Sequence, residues 1–145
     1  MFADLFKRLT APAPERLSDA DARVALGALL VRIARADGDY EAAEIEQIDA
    51  VLQSRYGLDR AAAQTLRTQC ETAEAQAPDT VRFTRAIKDS VAYEDREAVI
   101  ESLWSVVLAD GVRDKSEDAL LRMVAPMLGV SDQDSHKARQ RVMAK

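Results

Sequence analysis

Acidic side chains gather at two places in this 145-residue chain, in each case around the tripeptide Ala-Asp-Gly. The candidate metal ligands are Asp37, Asp39 and Glu44 at the first place, and Asp110, Asp114 and Glu117 at the second. Carboxylate oxygens are the hard ligands that Ca²⁺, Mg²⁺ and Mn²⁺ prefer in proteins. If the fold brings the two places together, these acids predict a divalent-cation site. The same acidic surface would equally suit a basic protein partner.

Each residue type at these two places also has a purely structural explanation. Glycine lets the backbone adopt a positive φ angle after a helix, and aspartate hydrogen-bonds to nearby backbone in a tight corner. Glutamate at the third position of a helix completes a cap. The sequence alone therefore leaves two interpretations open, a corner that only shapes the chain and a corner that also binds a ligand.

The two places belong to a longer internal repeat. Ala36-Asp37-Gly38 recurs 73 residues later as Ala109-Asp110-Gly111, and the same offset places Glu44 on Glu117. Two copies of a helix–corner–helix unit predict a pseudo-twofold pair of helical hairpins. A solenoid is not expected, because solenoids need three or more repeats.

The elements that must position these acids are predicted to be helices. Apolar residues recur at helical spacing between residues 18 and 143, and no stretch alternates as a strand does. The helices are expected to begin at N-caps, at Ser18, Asp59, Asp114 and Ser131. Glycines are expected to end helices at Gly57 and Gly129, and a break or tight joint is expected at Tyr93-Glu94-Asp95. We therefore predict an all-α fold of about seven helices.

The first residues form a separate feature. Phe2, Leu5, Phe6 and Leu9 are spaced as one apolar face of a short helix, and the stiff linker Ala11-Pro12-Ala13-Pro14 follows. This spacing divides the chain into an arm, residues 1–14, and an all-α domain, residues 15–145. The four apolar residues are candidates for contact with a membrane surface or a protein partner. The alternative is that the arm packs on its own domain.

Composition excludes several classes of protein. A net charge of -5 argues against nucleic-acid binding, which needs a basic face. The single cysteine, Cys70, and the single histidine, His136, exclude a disulfide framework and zinc sites rich in either residue. No apolar run is long enough to cross a membrane, and we expect a cytoplasmic protein. Cys70 lies on a stripe of small residues and is expected to be buried; a reactive thiol is the alternative.

The doubled Ala-Asp-Gly motif resembles the TerB family of bacterial tellurite-resistance proteins. The most similar stretch runs from Leu103 to Gly111, followed by Leu128-Gly129-Val130-Ser131, and the resemblance covers about residues 18–142. It implies an all-helical, non-enzymatic protein of tellurite resistance or a broader stress response. It also implies binding of metal or of membrane-associated protein partners, which places the protein at the inner face of the membrane.

An enzyme of another class is the main alternative. Some all-α nucleotide pyrophosphohydrolases hold Mg²⁺ with two pairs of carboxylates three residues apart, and Glu41/Glu44 and Glu71/Glu74 match that spacing loosely. With acids at 25 of 145 positions, such pairs are expected by chance about as often as they occur. A helical interaction module unrelated to tellurite is the other alternative.

Overall fold

The computed structural model describes residues 19–36, 40–77, 80–109 and 115–144. Within these ranges the chain forms seven α-helices and no strand, which confirms the all-α prediction. The helices are α1 (Asp19–Ala34), α2 (Ala42–Tyr56), α3 (Arg60–Gln76), α4 (Val81–Ser90), α5 (Tyr93–Val107), α6 (Lys115–Met127) and α7 (Asp132–Met143).

Helix α1 is the centre of the bundle and contacts α2, α3, α4, α5 and α6. Periodicity predicts an apolar face of six residues on this helix, of which Ala22 is half-buried and the others are buried: Ala25, Leu26, Leu29, Leu30 and Ile33. The residues between those positions are buried as well: Val24, Ala28, Val31 and Ala34. A helix that is apolar on all sides belongs in the interior, so α1 is a core helix rather than an amphipathic one.

Small residues let α1 and α3 approach closely. Ala63, Cys70 and Ala73 of α3 are fully buried, as their stripe predicts. Opposite them, a methyl group on Gly27 of α1 would overlap Sγ of Cys70 and lie 3.1 Å from its Cβ. Glycine is therefore required at position 27 by the closeness of the neighbouring helix.

The two predicted hairpins begin their corners in the same way. At the end of α1, the N–H of Ala36 donates to the carbonyl of Ile33 at 3.2 Å, and at the end of α5, Ala109 donates to Val106 at 3.2 Å. The following helices, α2 and α6, begin at Ala42 and Lys115, which are again 73 residues apart. The local backbone therefore agrees with the repeat, while the pseudo-twofold relation between the hairpins stays a prediction.

The second helices of both hairpins also end alike. Gly57 and Gly129 have φ angles of 63° and 78°, the left-handed conformation that glycine adopts without a steric penalty. The residue after each glycine donates back into the helix, Leu58 to Gln53 at 3.1 Å and Val130 to Ala125 at 2.9 Å. This is the Schellman arrangement, and it confirms both glycines as helix ends.

One predicted break between helices is present but lies slightly earlier in the chain than expected. Tyr93, Glu94 and Asp95 form the first turn of α5, and the chain turns just before them at Val91 and Ala92. Negative side chains are favourable in a first turn because they oppose the positive end of the helix dipole. The acids therefore start a helix here rather than interrupt one.

Candidate functional site

The structure tests only part of the predicted metal site. Asp37, Asp39, Asp110 and Asp114 lie outside the described residues, as do Phe2, Leu5, Phe6 and Leu9 of the arm. Glu117 belongs to the first turn of α6, and its side chain also lies outside the described part. Of the six candidate ligands, Glu44 is the one whose side chain the structure describes.

Glu44 takes part in capping helix α2. It is fully buried, and its Oε1 accepts a hydrogen bond from the backbone N–H of Glu41 at 3.2 Å. Glu41 is the N-cap, and the two residues form a reciprocal capping box. Such a box satisfies backbone donors that the helix itself leaves unpaired. The prediction that Glu44 completes a helix cap is confirmed, while its role as a metal ligand stays a prediction.

Six charged residues and one tyrosine beside the first corner form what we term the corner network: Arg32, Arg35, Tyr40, Asp49, Arg67, Glu71 and Glu74. Its centre is Glu74 of α3, which meets Arg32 at 3.2 Å and Arg35 at 3.0 Å. Arg32 also donates to the carbonyl of Ala77 at 2.7 Å. The last turns of α1 are thereby tied to the end of α3 by charge-assisted hydrogen bonds.

The other half of the corner network connects α2 with α3. Glu71 accepts hydrogen bonds from the Tyr40 hydroxyl at 2.8 Å and from Arg67 at 3.1 Å. Arg67 in turn donates to Asp49 of α2 at 2.6 Å. Burial and the bond to Glu71 raise the pKa of the Tyr40 hydroxyl, and the Arg35 guanidinium lies 4.8 Å from the centre of its ring.

These contacts limit what the carboxylates of the network can do. Both members of the Glu71/Glu74 pair are held by arginines, so a cation would have to displace those partners. Among the residues that the structure describes, no three or more histidine, cysteine or acidic side chains are grouped to hold a metal ion. The carboxylate pairs therefore do not support the pyrophosphohydrolase alternative.

A groove runs between the end of α1, the end of α3 and the middle of α6. It has a volume of about 550 Å³. We call it the α1–α6 groove, and its lining is Arg32, Arg35, Ala36, Glu74, Ala119, Leu120 and Met123. Met123 is 50% exposed, and the Arg35 side chain at the rim is 37% exposed. The groove thus offers an apolar surface next to the corner network.

Cys70 does not have the properties of a reactive thiol. Its side chain is fully buried, and burial, with the nearby Glu71 charge, raises the pKa of the thiol from 9.0 to about 12. Because the thiolate is the nucleophile, a thiol with this pKa is unreactive at neutral pH. The prediction of a buried small residue is confirmed, and the reactive-thiol alternative is wrong.

Sequence reasoning missed most of the corner network. Arg67 and Glu71 are four residues apart on one helix, a spacing that predicts an ion pair. The pairing of Arg32 with Glu74 joins residues 42 positions apart and has no local signal. No described helix is long and apolar enough to cross a membrane.

Within the described residues the chain is an all-helical bundle in which the thiol is buried and the carboxylates of the corner network are paired with arginines. The family model of tellurite resistance protein TerB matches residues 23–140. That match spans most of the chain, and the chain belongs to the TerB family, as the doubled motif predicts. Comparison with curated proteins found no match, and comparison with solved structures found none either.

Proposed function

We propose that this TerB-family protein acts in tellurite resistance or a related stress response by binding a protein partner, without catalysing a reaction. The observation that carries the proposal is the α1–α6 groove, in which Leu120 and the half-exposed Met123 lie beside the neutralised corner network. Exposed apolar side chains rimmed by polar ones are typical of interaction surfaces.

The lining of the groove indicates what kind of partner segment it would take. Met123 has an unbranched, adaptable side chain of the kind that binding surfaces use to fit different apolar partners. In the sequence, Asp37 and Asp39 follow the groove residue Ala36, and Glu41, which is exposed, comes soon after. An apolar segment flanked by basic residues matches both the groove and these acids.

A pair of methionines allows a matched test. Met123 in the groove and Met143 at the end of α7 are 50% and 61% exposed, so aspartate is tolerated equally well at either position. In cells that depend on this protein for growth on tellurite, Met123→Asp should abolish resistance, while Met143→Asp should retain it. Equal resistance with the two variants, at equal protein levels and melting temperatures, would overturn the proposal.

Metal binding by the corner acids is the second form of the proposed function. Calorimetry with Ca²⁺, Mg²⁺, Mn²⁺ and Zn²⁺ tests it, with the double variant Asp37→Asn, Asp110→Asn as the altered site. Heat that disappears in the double variant would support a shared site. No heat, together with an unchanged melting temperature at millimolar metal, would remove this form of the function.

The arm is proposed to carry the protein to a membrane-associated partner at the cytoplasmic face of the membrane. Deletion of residues 1–14 should then abolish binding to vesicles or to the partner and leave the melting temperature unchanged. A large fall in melting temperature would instead show that the arm packs on the domain.

A further inference from the structure

A second cluster of cationic side chains surrounds the single tryptophan of the chain. We call it the Trp104 pocket, and it is lined by Trp104, Arg122, Asp132, Ser135, His136 and Arg139. These residues come from α5, α6 and α7, and the cavity has a volume of about 280 Å³. That volume is just below the range of about 300–1,000 Å³ that is typical of drug-sized ligands, so the pocket suits a small molecule.

Trp104 forms one wall of the pocket and is itself part of the core. It is 5% exposed, and its indole N–H donates to the Ser135 hydroxyl at 3.1 Å. Because the hydroxyl oxygen accepts that bond, its own proton stays available to donate to another oxygen. Ser135 is buried in the first turn of α7, where the helix dipole favours negative charge.

The arginines of the pocket differ from those of the corner network. The Arg139 guanidinium lies 5.4 Å from the centre of the Trp104 ring. Within the described part of the chain, neither Arg139 nor Arg122 has a carboxylate oxygen within the 4.0 Å of an ion pair. The two arginines outnumber the single carboxylate of the lining, Asp132, so the pocket carries a net positive charge.

One atom of Arg139, a residue that lines the pocket, lacks a hydrogen-bond partner. Arg139 Nε is buried and has no hydrogen-bond acceptor among the described residues. A buried donor without a partner is costly, and stacking on tryptophan does not satisfy it because the ring attracts the charge without accepting the N–H. Because Nε is covered in the structure, a small movement of the Arg139 side chain would bring this donor to an anionic oxygen bound in the pocket.

We infer that the Trp104 pocket binds a small oxyanion, either a free inorganic ion or the phosphate group of a small monoester, through Arg139, Arg122 and the Ser135 hydroxyl. Guanidinium groups present paired N–H donors that match the oxygens of such ions. The exposed imidazole of His136 supplies one further N–H donor at the rim in either of its neutral tautomers. This inference is independent of the partner proposed for the α1–α6 groove.

Trp104 also provides the measurement, since it is the one tryptophan in the chain and contacts the proposed site. Its fluorescence should change saturably when sulfate, inorganic phosphate, tellurite or glycerol phosphate is added to the full-length protein. Sodium chloride at matched ionic strength is the control and should give no saturable change. A preference for glycerol phosphate over the inorganic ions would identify a monoester as the ligand, and the reverse preference a free ion.

Two variants in the pocket and one outside it complete the test. Arg139→Gln and Arg122→Gln should each weaken binding about tenfold or more, the loss expected for a charge-assisted hydrogen bond. Arg85→Gln removes the same charge from an exposed position on α4 and should bind normally. Because Arg122 is exposed, its variant will fold even if Arg139→Gln does not. No saturable change with any oxyanion, or equal affinity in Arg122→Gln and Arg85→Gln, would overturn the inference.

Discussion

The corner network and the Trp104 pocket both combine arginines with an aromatic ring, but they differ in whether the arginines are paired with carboxylates. Each places an arginine against an aromatic ring, Arg35 4.8 Å from the Tyr40 centroid and Arg139 5.4 Å from that of Trp104. In the network, carboxylates meet every arginine, whereas in the pocket no ion pair holds either arginine within the described residues. Paired arginines hold helices together, and unpaired ones are available to a ligand.

The largest effect is expected when the carboxylate at the centre of the corner network is removed. Glu74→Ala leaves Arg32 and Arg35 side by side without their counter-charge, and we expect a loss of about 3 kcal/mol in the free energy of unfolding. Urea denaturation measures it.

The matched control for Glu74→Ala is Glu97→Ala. Glu97 lies on a helix and meets Arg141 at 3.8 Å in an exposed pair. Surface pairs of this kind contribute little, so the expected loss is below about 1 kcal/mol. Equal losses in the two variants would mean that the network is an ordinary surface cluster.

A second change separates the role of charge from that of packing between the same two helices, α1 and α3. Gly27→Ala introduces a methyl group that overlaps Sγ of Cys70, and overpacking of this kind costs about 2 kcal/mol. Adding Cys70→Ala removes the sulfur and should restore part of the lost stability, because only the 3.1 Å contact with Cβ remains.

Thermal or urea unfolding of the two single variants and the double variant gives the coupling free energy between positions 27 and 70. Strictly additive losses would contradict the close contact between Gly27 and Cys70.

The two arginines themselves provide the third comparison. Arg32→Ala removes hydrogen bonds to Glu74 and to the carbonyl of Ala77, and we expect a loss of about 2 kcal/mol. Arg139→Ala removes mainly the interaction with the Trp104 ring and should cost about 0.5–1 kcal/mol. Urea unfolding measured without added oxyanion tests this expectation. A larger loss of stability in Arg139→Ala than in Arg32→Ala would mean that the Trp104 pocket, and not the corner network, is the region in which arginine stabilises the fold.

The smallest expected effect is the pH dependence of stability that Tyr40 of the corner network contributes. The pKa of Tyr40 is higher in the folded protein than its ordinary value of 10.0, so the unfolded chain releases this proton first. Stability from this group is complete below about pH 10 and falls as the pH rises above it, by less than about 1.4 kcal/mol per pH unit.

Tyr40→Phe should therefore show a shallower fall in melting temperature between pH 9 and pH 11 than the unaltered protein. The raised pKa values of Cys70 and Tyr56 contribute to the fall in both proteins and cancel in the comparison. An equally steep fall in melting temperature for the two proteins would show that the hydrogen bond between Tyr40 and Glu71 does not make the stability depend on pH.

Local features of the chain were predictable from the sequence, because a cap or a helix end depends on neighbouring residues. Asp59 and Ser131 cap their helices as predicted, accepting from Ala62 at 2.7 Å and from Asp134 at 3.1 Å. The burial of Trp104 and Cys70 followed from their apolar surroundings in the sequence. At α1 the periodicity predicted one buried face correctly but missed the burial of the residues between those positions, since a helix that is apolar on almost every side has no single face to detect.

The sequence by itself determined the helices, their caps, the two glycine ends and, through the doubled motif, membership of the TerB family. Only the tertiary structure decided which charges are paired, because an ion pair depends on helix packing that brings distant residues within a few ångströms. Arg32 meets Glu74 across the packed ends of α1 and α3, while Arg122 and Arg139 both line the Trp104 pocket and form no ion pair with a carboxylate of the described residues.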